Sequence, residues 1–443
     1  MVRRLLLALL VCAAIAHAQP PAIPDTAAGH VLTAWLDAFN SGDKGKIDAY
    51  IKTYDPKQTA EFFTSFRAQT GGFDLLSVDM SEPMQIKFRV KEKASATEAI
   101  GNILLKSEEP HWVENFHLRA IPPGAKIEEV KLDAAERQRV IDGIVADLKQ
   151  YYVYPDGAQK MIDALEAHAK RGDFDKIVDG DSFAAALATD LRNVSDDKHI
   201  FVDFSPVKMP PENAAGPSAD EKARYREDVE RQNCGFKKVE ILPGNIGYVK
   251  FDFFPDPEIC GPTVVAAMNF LAHVNAIIYD LRENHGGDPK MVSFVCTFLF
   301  DEPTHLNDIY DRAKDETTQY WTLSYVPGPR IVGKPAYVLT SNGTFSGGEE
   351  FTYDLKTQKR ATIVGETTGG GAHPVSGHRI DDHFTIGVPF GRPINPITKK
   401  DWEGTGVAPD VAVKASDALD TAEKLARDEI QKAAKQAADA KAK

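Results

Sequence analysis

Cationic residues are in deficit, cysteine is scarce, and no long apolar run follows the first eighteen residues. The 443-residue chain sets 52 basic against 65 acidic side chains, a formal net charge of −13. No basic cluster follows the first few residues, so a phosphate backbone would be repelled and nucleic acid is excluded as a partner. No segment after residue 18 reaches the roughly 20 apolar residues that a membrane span needs. Neither C-x-x-C nor H-x-x-H occurs, so no metal site is expected, and nothing calls for a cofactor. The phosphate-loop and dinucleotide fingerprints, G-x-x-x-x-G-K-[ST] and G-x-G-x-x-G, are absent too. What remains is a globular composition, 43% hydrophobic and 26% charged, with enough apolar residues to build real cores. At about 150 residues per domain, the length predicts about three units.

The N-terminus reads as an export signal. Arg3 and Arg4, an apolar run from Leu5 to Ile15, and Ala16-His17-Ala18 supply the charged, apolar and cleavage regions. Removal of residues 1–18 leaves a periplasmic or secreted chain whose charge deepens to −15. An oxidising compartment permits disulfides. Cys234 and Cys260 lie at loop-like ends beside Gly235 and Gly261 and are the favoured pair, whereas Cys296 in SFVCTFLF reads as a buried thiol.

Periodicity then divides the chain. In 26–123, Val31, Leu32, Trp35, Leu36 and Phe39 recur at helical spacing, and after Gly71-Gly72 the period shifts toward two. Helices followed by four antiparallel strands predict an α+β domain. Residues 130–204 read as amphipathic helices and 205–240 as a loop or linker rich in proline and charge. Short strand–helix units over 241–415 predict an α/β core with a largely parallel sheet, and 416–443 a C-terminal helix or tail.

The chemistry concentrates in Gly-bearing turns. Strand Ala336 to Thr340 runs into SNGTFSGGEEF, which exposes the Ser346 hydroxyl beside the Gly347 N–H at a helix start. S-x-x-E to Glu349 is equally a capping box, the commoner meaning of such a pattern. Strand AIIYDL leads to RENHGGD with Gly286-Gly287, and ATIVG leads to ETTGGGAHP. Three such turns at strand carboxyl ends, one with a serine, mark the rim where open α/β sheets bind ligands.

The ordered set YVKFDFF, DLRENHGG, TSNGTFSGGEEF, RATIVGETTGGGAHP and EGTGVAPDVAV resembles the C-terminal-processing (tail-specific) serine peptidases over roughly 130–415. It is most similar to the branch with the tricorn core protease and the interphotoreceptor retinoid-binding protein. The resemblance implies an α/β core of the ClpP/crotonase-like ββα superhelix type, preceded by a helical subdomain. It implies an acyl-enzyme on Ser346, first oxyanion donor Gly347, and a second from the Gly286-Gly287 turn. Where one branch has a catalytic lysine, this chain has Gly371, and Lys356 is too far down the helix from Ser346. The tricorn-like branch implies His199 as general base and Glu403 as its support, although Lys198 stands where that branch has a linking serine. Asp196 or Asp197 could orient His199 instead, and His373, near Glu366, rivals it as base; His285, His378 and His383 are further histidines to place.

Only 46 residues separate His199 from Ile246, fewer than the ~50 of a small domain, so no peptide-binding PDZ domain fits there. The expected partner is a peptide or protein substrate. HVLTAWLDAFNSGD resembles the start of nuclear-transport-factor-like cones, which hold ligands or pair subunits and leave a homo-oligomer open. The alternative function is a non-catalytic protein of the same fold that binds a small apolar ligand or peptide; ester hydrolysis would use the same residues.

Overall fold

Thr26 caps the first helix, α1 (Ala27–Ser41), by accepting the Gly29 N–H, and Gly42 ends it at φ 65°. Val31, Leu32, Trp35 and Phe39 turn one buried stripe inward. This is the start of a computed structural model that describes residues 21–441 apart from 123, 129, 210–215 and 217. The expected signal segment lies outside the described residues. The chain divides into two units, residues 1–127 and 128–443.

In the first unit, α1, α2 (Lys44–Tyr54) and α3 (Ala60–Thr70) precede four strands: β1 (Phe73–Ser81), β2 (Gln85–Glu92), β3 (Glu98–Leu105) and β4 (Val113–Ala120). They form one antiparallel sheet in sequence order. The α1 stripe packs with Phe73, Ile86, Phe88 and Ile103 from the sheet's inner face.

The second unit opens with α4 (Ala134–Tyr151), α5 (Pro155–Arg171) and α6 (Gly180–Ser195), then strand β5 (Phe201–Phe204). The segment expected as a loop contains α7 (Ala219–Arg231), and β6 (Phe236–Leu242) begins inside it as well. The helix has a Ser218–Glu221 capping box but buries almost nothing except Val229. Lacking an apolar stripe, it leaves no periodicity to read. Cys234 and Cys260 are bridged, and Cys296 is free and buried.

The core alternates β7 (Ile246–Phe251), α8 (Pro257–Phe270), β8 (Ala276–Asp280) and α9 (Pro289–Thr297). A hairpin of β9 (His305–Asp311) and β10 (Glu316–Trp321) intervenes before β11 (Ala336–Thr340), α10 (Gly347–Thr357) and β12 (Thr362–Gly365). Strands β13 (Val375–Arg379), β14 (Phe384–Pro389), β15 (Gly391–Ile394) and β16 (Val411–Ala412) follow, and α11 (Ala418–Lys441) closes the chain. Six strands make the main sheet in the order β16-β12-β11-β8-β7-β6, parallel except for β6.

Period-two alternation gives that sheet two buried faces. Ile277, Tyr279 and Val338 pack on one face with Val264, Met291 and Phe351 of α8, α9 and α10. Ile278, Tyr337 and Leu339 meet the Ala418, Ala422 and Ala426 stripe of α11 on the other. The architecture is thus mixed α/β, with helices on both faces. A separate three-stranded sheet, β13-β14-β5, lets β14 finish the core of the helical region: Phe384, Ile386 and Val388 pack with Ile144, Leu148 and Phe183.

Candidate active site

Ser346 lies between β11 and α10, with φ 52° and ψ −121°. An ordinary N-cap residue is extended; a positive φ on a residue with a Cβ is uncommon and must be held by its surroundings. Of the S-x-x-E capping box the glutamate half is made, Glu349 accepting the Ser346 N–H, whereas the Glu349 N–H goes to the Ser346 carbonyl at 2.8 Å. The carboxylate reaches further than a cap requires. Glu349 Oε2 accepts the N–H groups of Ser346 (3.0 Å) and Gly371 (2.8 Å), and Oε1 accepts that of Gly370 (2.6 Å) and the Thr368 hydroxyl (2.5 Å). Burial pushes the Glu349 pKa up against these bonds. The nucleophile turn and the triple-glycine turn therefore share one buried carboxylate.

The Gly286-Gly287 turn presses against the same point. A Cβ on Gly286 would fall 2.6 Å from both Ser346 Cβ and Gly347 N, and one on Gly347 would fall 2.9 Å from Gly287 N. Only glycine permits this approach, and both turn residues have positive φ. The two are not equivalent as donors. Gly286 N–H is taken by Asn284 Oδ1 at 2.9 Å, whereas Gly287 N–H and Gly347 N–H have no acceptor among the described residues. Those two free groups, beside the N-terminus of α10, can receive an oxyanion. Asn284 is fully buried; it also donates to Phe251 O and accepts the Phe345 N–H, tying this turn to the serine's. Sequence reading missed it, and its only signal was its place two residues ahead of the glycine pair.

His199 lies beside Phe345, ring centroids 4.8 Å apart. A Cβ on Gly371 would strike Phe345 Cζ at 2.1 Å and His199 Cε1 at 2.8 Å, so a side chain here would have to displace both rings. Burial lowers the His199 pKa to about 4, against the pull of Asp197. The imidazole is neutral at pH 7, the form a general base needs. No hydrogen bond joins Ser346 Oγ to a histidine among the described residues.

Behind His199 lies a buried charged cluster. Asp197 Oδ1 accepts the His199 backbone N–H (3.0 Å), and Oδ2 bonds His373 Nδ1 (2.7 Å) and accepts from Tyr152 Oη (3.3 Å). Glu403 Oε2 lies 3.6 Å from His373 Nδ1 and accepts the Ala372 N–H at 2.6 Å. His373 is desolvated, yet the Asp197 bond and the Glu403 charge outweigh burial and raise its pKa. His373 thus sits between two carboxylates with its Nδ1 held by Asp197, while its Nε2 is buried without a partner. Glu403 Oε1 and His199 Nδ1 are both buried without a partner. Asp197, His199 and Glu403 offer ligand atoms within 4.8 Å of one another, but both Asp197 oxygens are committed, which fits an ion-pair cluster better than a metal site.

The remaining candidates are engaged elsewhere. Lys198 Nζ donates to Gly369 O, and Lys356 pairs with Asp410 at 2.9 Å. Asp196 is an exposed helix C-cap at φ 55°. His378 stacks on Tyr151, His383 bonds Ser205 O, and His285 is exposed. Glu366 accepts the Ala415 N–H near the end of the sheet.

Comparison with known proteins places two stretches of the chain. Residues 245–413 match the family model described as peptidase family S41, and residues 130–240 match the N-terminal domain of that peptidase in eukaryotic IRBP. The chain belongs to peptidase family S41, a family of serine-type peptidases. Carboxyl-terminal-processing peptidase 2 of Arabidopsis thaliana chloroplasts is 28% identical over 190 residues, 38% of this chain and 33% of that protein. Tricorn protease of Thermoplasma volcanium is 27% identical over 202 residues, 44% of this chain and 18% of that protein. The chain thus spans a third or less of the length of these relatives. Among solved structures, the photosystem II D1 C-terminal processing protease aligns with a TM-score of 0.41 and 17% identity over 63% of this chain and 93% of that one.

Proposed function

We propose that the protein is an exported serine peptidase that cleaves peptide bonds through an acyl-enzyme on Ser346. The observation that carries this reading is the strained Ser346 turn, pressed against Gly286 and flanked by the free N–H groups of Gly287 and Gly347. Ser346 Oγ attacks the scissile carbonyl as His199 takes its proton, and the oxyanion forms against Gly287 and Gly347. His199 then returns the proton to the leaving amine, and water repeats the sequence on the acyl-enzyme. Glu403, with Oε1 buried and unpaired, supports the imidazolium as it forms, while Asp197 fixes the backbone of His199 and bonds His373 Nδ1. Gly286 serves by close approach rather than as a donor.

The ββα-superhelix core and the cone assignment of residues 26–123 belong to this reading, as do the subdomain boundaries. The Cys234–Cys260 bridge favours an oxidising compartment, consistent with export through residues 1–18. With no room for a PDZ domain ahead of β7, short peptides are the expected substrates.

A serine-reactive fluorophosphonate tests the reading. The protein should label, and Ser346→Ala should not; equal labelling of that variant would falsify the nucleophile assignment. A protein that neither labels nor turns over a peptide library, but co-purifies with a lipid, is a binding protein instead.

A further inference from the structure

The first unit contains a cavity of about 220 Å³ that peptidase chemistry does not use. Six aromatic side chains line it: Trp35 and Phe39 from α1, Phe62, Phe63 and Phe66 from α3, and Phe116 from β4. The rings brace one another, with Trp35 edge-on to Phe116 at 4.9 Å and Phe62 stacked on Phe66 at 5.8 Å. Phe62 is 53% exposed, so the aromatic lining continues to solvent.

One acidic group breaks this wall. Asp55 lines the same cavity, is 3% exposed, and makes no ion pair among the described residues. It caps the C-terminus of α2, where the helix dipole disfavours an anion, so neither burial nor position suits it for stability. Burial raises its pKa, against a hydrogen bond from the Lys57 backbone and that residue's charge. A purely apolar guest would leave the carboxylate with the Lys57 backbone bond and no charged donor in contact, and an anion would be repelled. A protonated amine answers both features, because ring faces attract organic cations and a buried carboxylate needs a charged donor. At 220 Å³ the cavity falls below the roughly 300–1,000 Å³ of drug-sized sites, so the guest is small.

We propose that this unit binds a small organic ammonium, a protonated aryl- or alkylamine, with nitrogen at Asp55 and hydrocarbon among the rings. The site is independent of Ser346.

Calorimetric titration of the full chain at pH 7 with 2-phenylethylammonium, and with 2-phenylethanol as neutral isostere, tests this. The ammonium should bind at least tenfold more tightly than the alcohol. Asp55→Asn should lose that preference while keeping fluorophosphonate labelling, and Ser346→Ala should bind as wild type does. Equal affinity for the two probes, no binding of the ammonium, or an unchanged preference in Asp55→Asn overturns the proposal. A Ser346→Ala chain that loses binding overturns it too, by locating the amine at the catalytic serine. Should Asp55→Asn fail to fold, the wild-type comparison of cation with alcohol still decides.

Discussion

Glu349 holds the backbone of Ser346: its Oε2 accepts the serine's N–H at 3.0 Å while also accepting that of Gly371 at 2.8 Å. Glu349→Ala strands several buried donors at ~1–3 kcal/mol each. We expect a loss of about 3 kcal/mol in urea-monitored stability and at least tenfold slower fluorophosphonate labelling. A folded variant that labels at the wild-type rate would show that the carboxylate only caps the helix.

The pH dependence of kcat/KM should report a depressed histidine. Burial holds His199 near pKa 4, so the base is already deprotonated at pH 5 to 6. Activity should fall on the acid side only as pH approaches about 4, and His199→Ala should abolish turnover. An acid limb centred near 6.5 would instead mark a solvated base.

Gly286→Ala places a methyl group 2.6 Å from Ser346 Cβ and Gly347 N at a φ of 97°. Labelling should drop at least 100-fold, a cost of about 2.7 kcal/mol in the barrier, with only modest loss of melting temperature. Normal labelling of the alanine protein would remove the proposed packing of the two turns.

Helix α10 carries a second pH response. Glu350 and Asp354 are buried in it; desolvation raises Glu350 to about 7 and Asp354 well above the carboxylate range. Groups whose folded pKa is raised contribute stability that is full below their unfolded values, 4.5 for Glu350 and 3.8 for Asp354, and lost as pH rises through the folded values. Stability should therefore decline from about pH 4 to beyond 7. The double variant Glu350→Gln/Asp354→Asn should flatten that slope. An unchanged slope in the variant would assign it to other groups.

The Cys234–Cys260 bridge closes a loop with a sequence separation of 26. Serine at both positions should cost about 3 kcal/mol, read as a lower denaturant midpoint. Mass spectrometry of the unreduced protein should find the bridge there and leave Cys296 as the free thiol.

Much of the site was legible because glycine advertises backbone geometry. The Gly286-Gly287 and Gly369-Gly371 turns could be read as close approaches, and the strand before Ser346 showed where a hydroxyl would be presented. What local sequence withheld was the pairing of distant charges. Asp197 and His373 are 176 residues apart in sequence, and no spacing rule joins them. His373 read as a rival base for the same reason, since a histidine's neighbours decide its protonation and those came from elsewhere in the chain. The four strands of the first unit follow the period-two segments closely. Helix α7 was missed because it is polar on nearly every side.

The β5–β14 ladder, where Val202 faces Ile386, bears on how the molecule can be dissected. The two family-matched regions meet in one hydrophobic core, since β14 supplies Phe384, Ile386 and Val388 to the helices of the earlier region. Expressing the 245–413 region alone would strip water-averse side chains of their cover and leave a naked strand edge, the combination that drives clumping. The family boundary is therefore a poor place for scissors: a soluble working fragment has to begin ahead of α4.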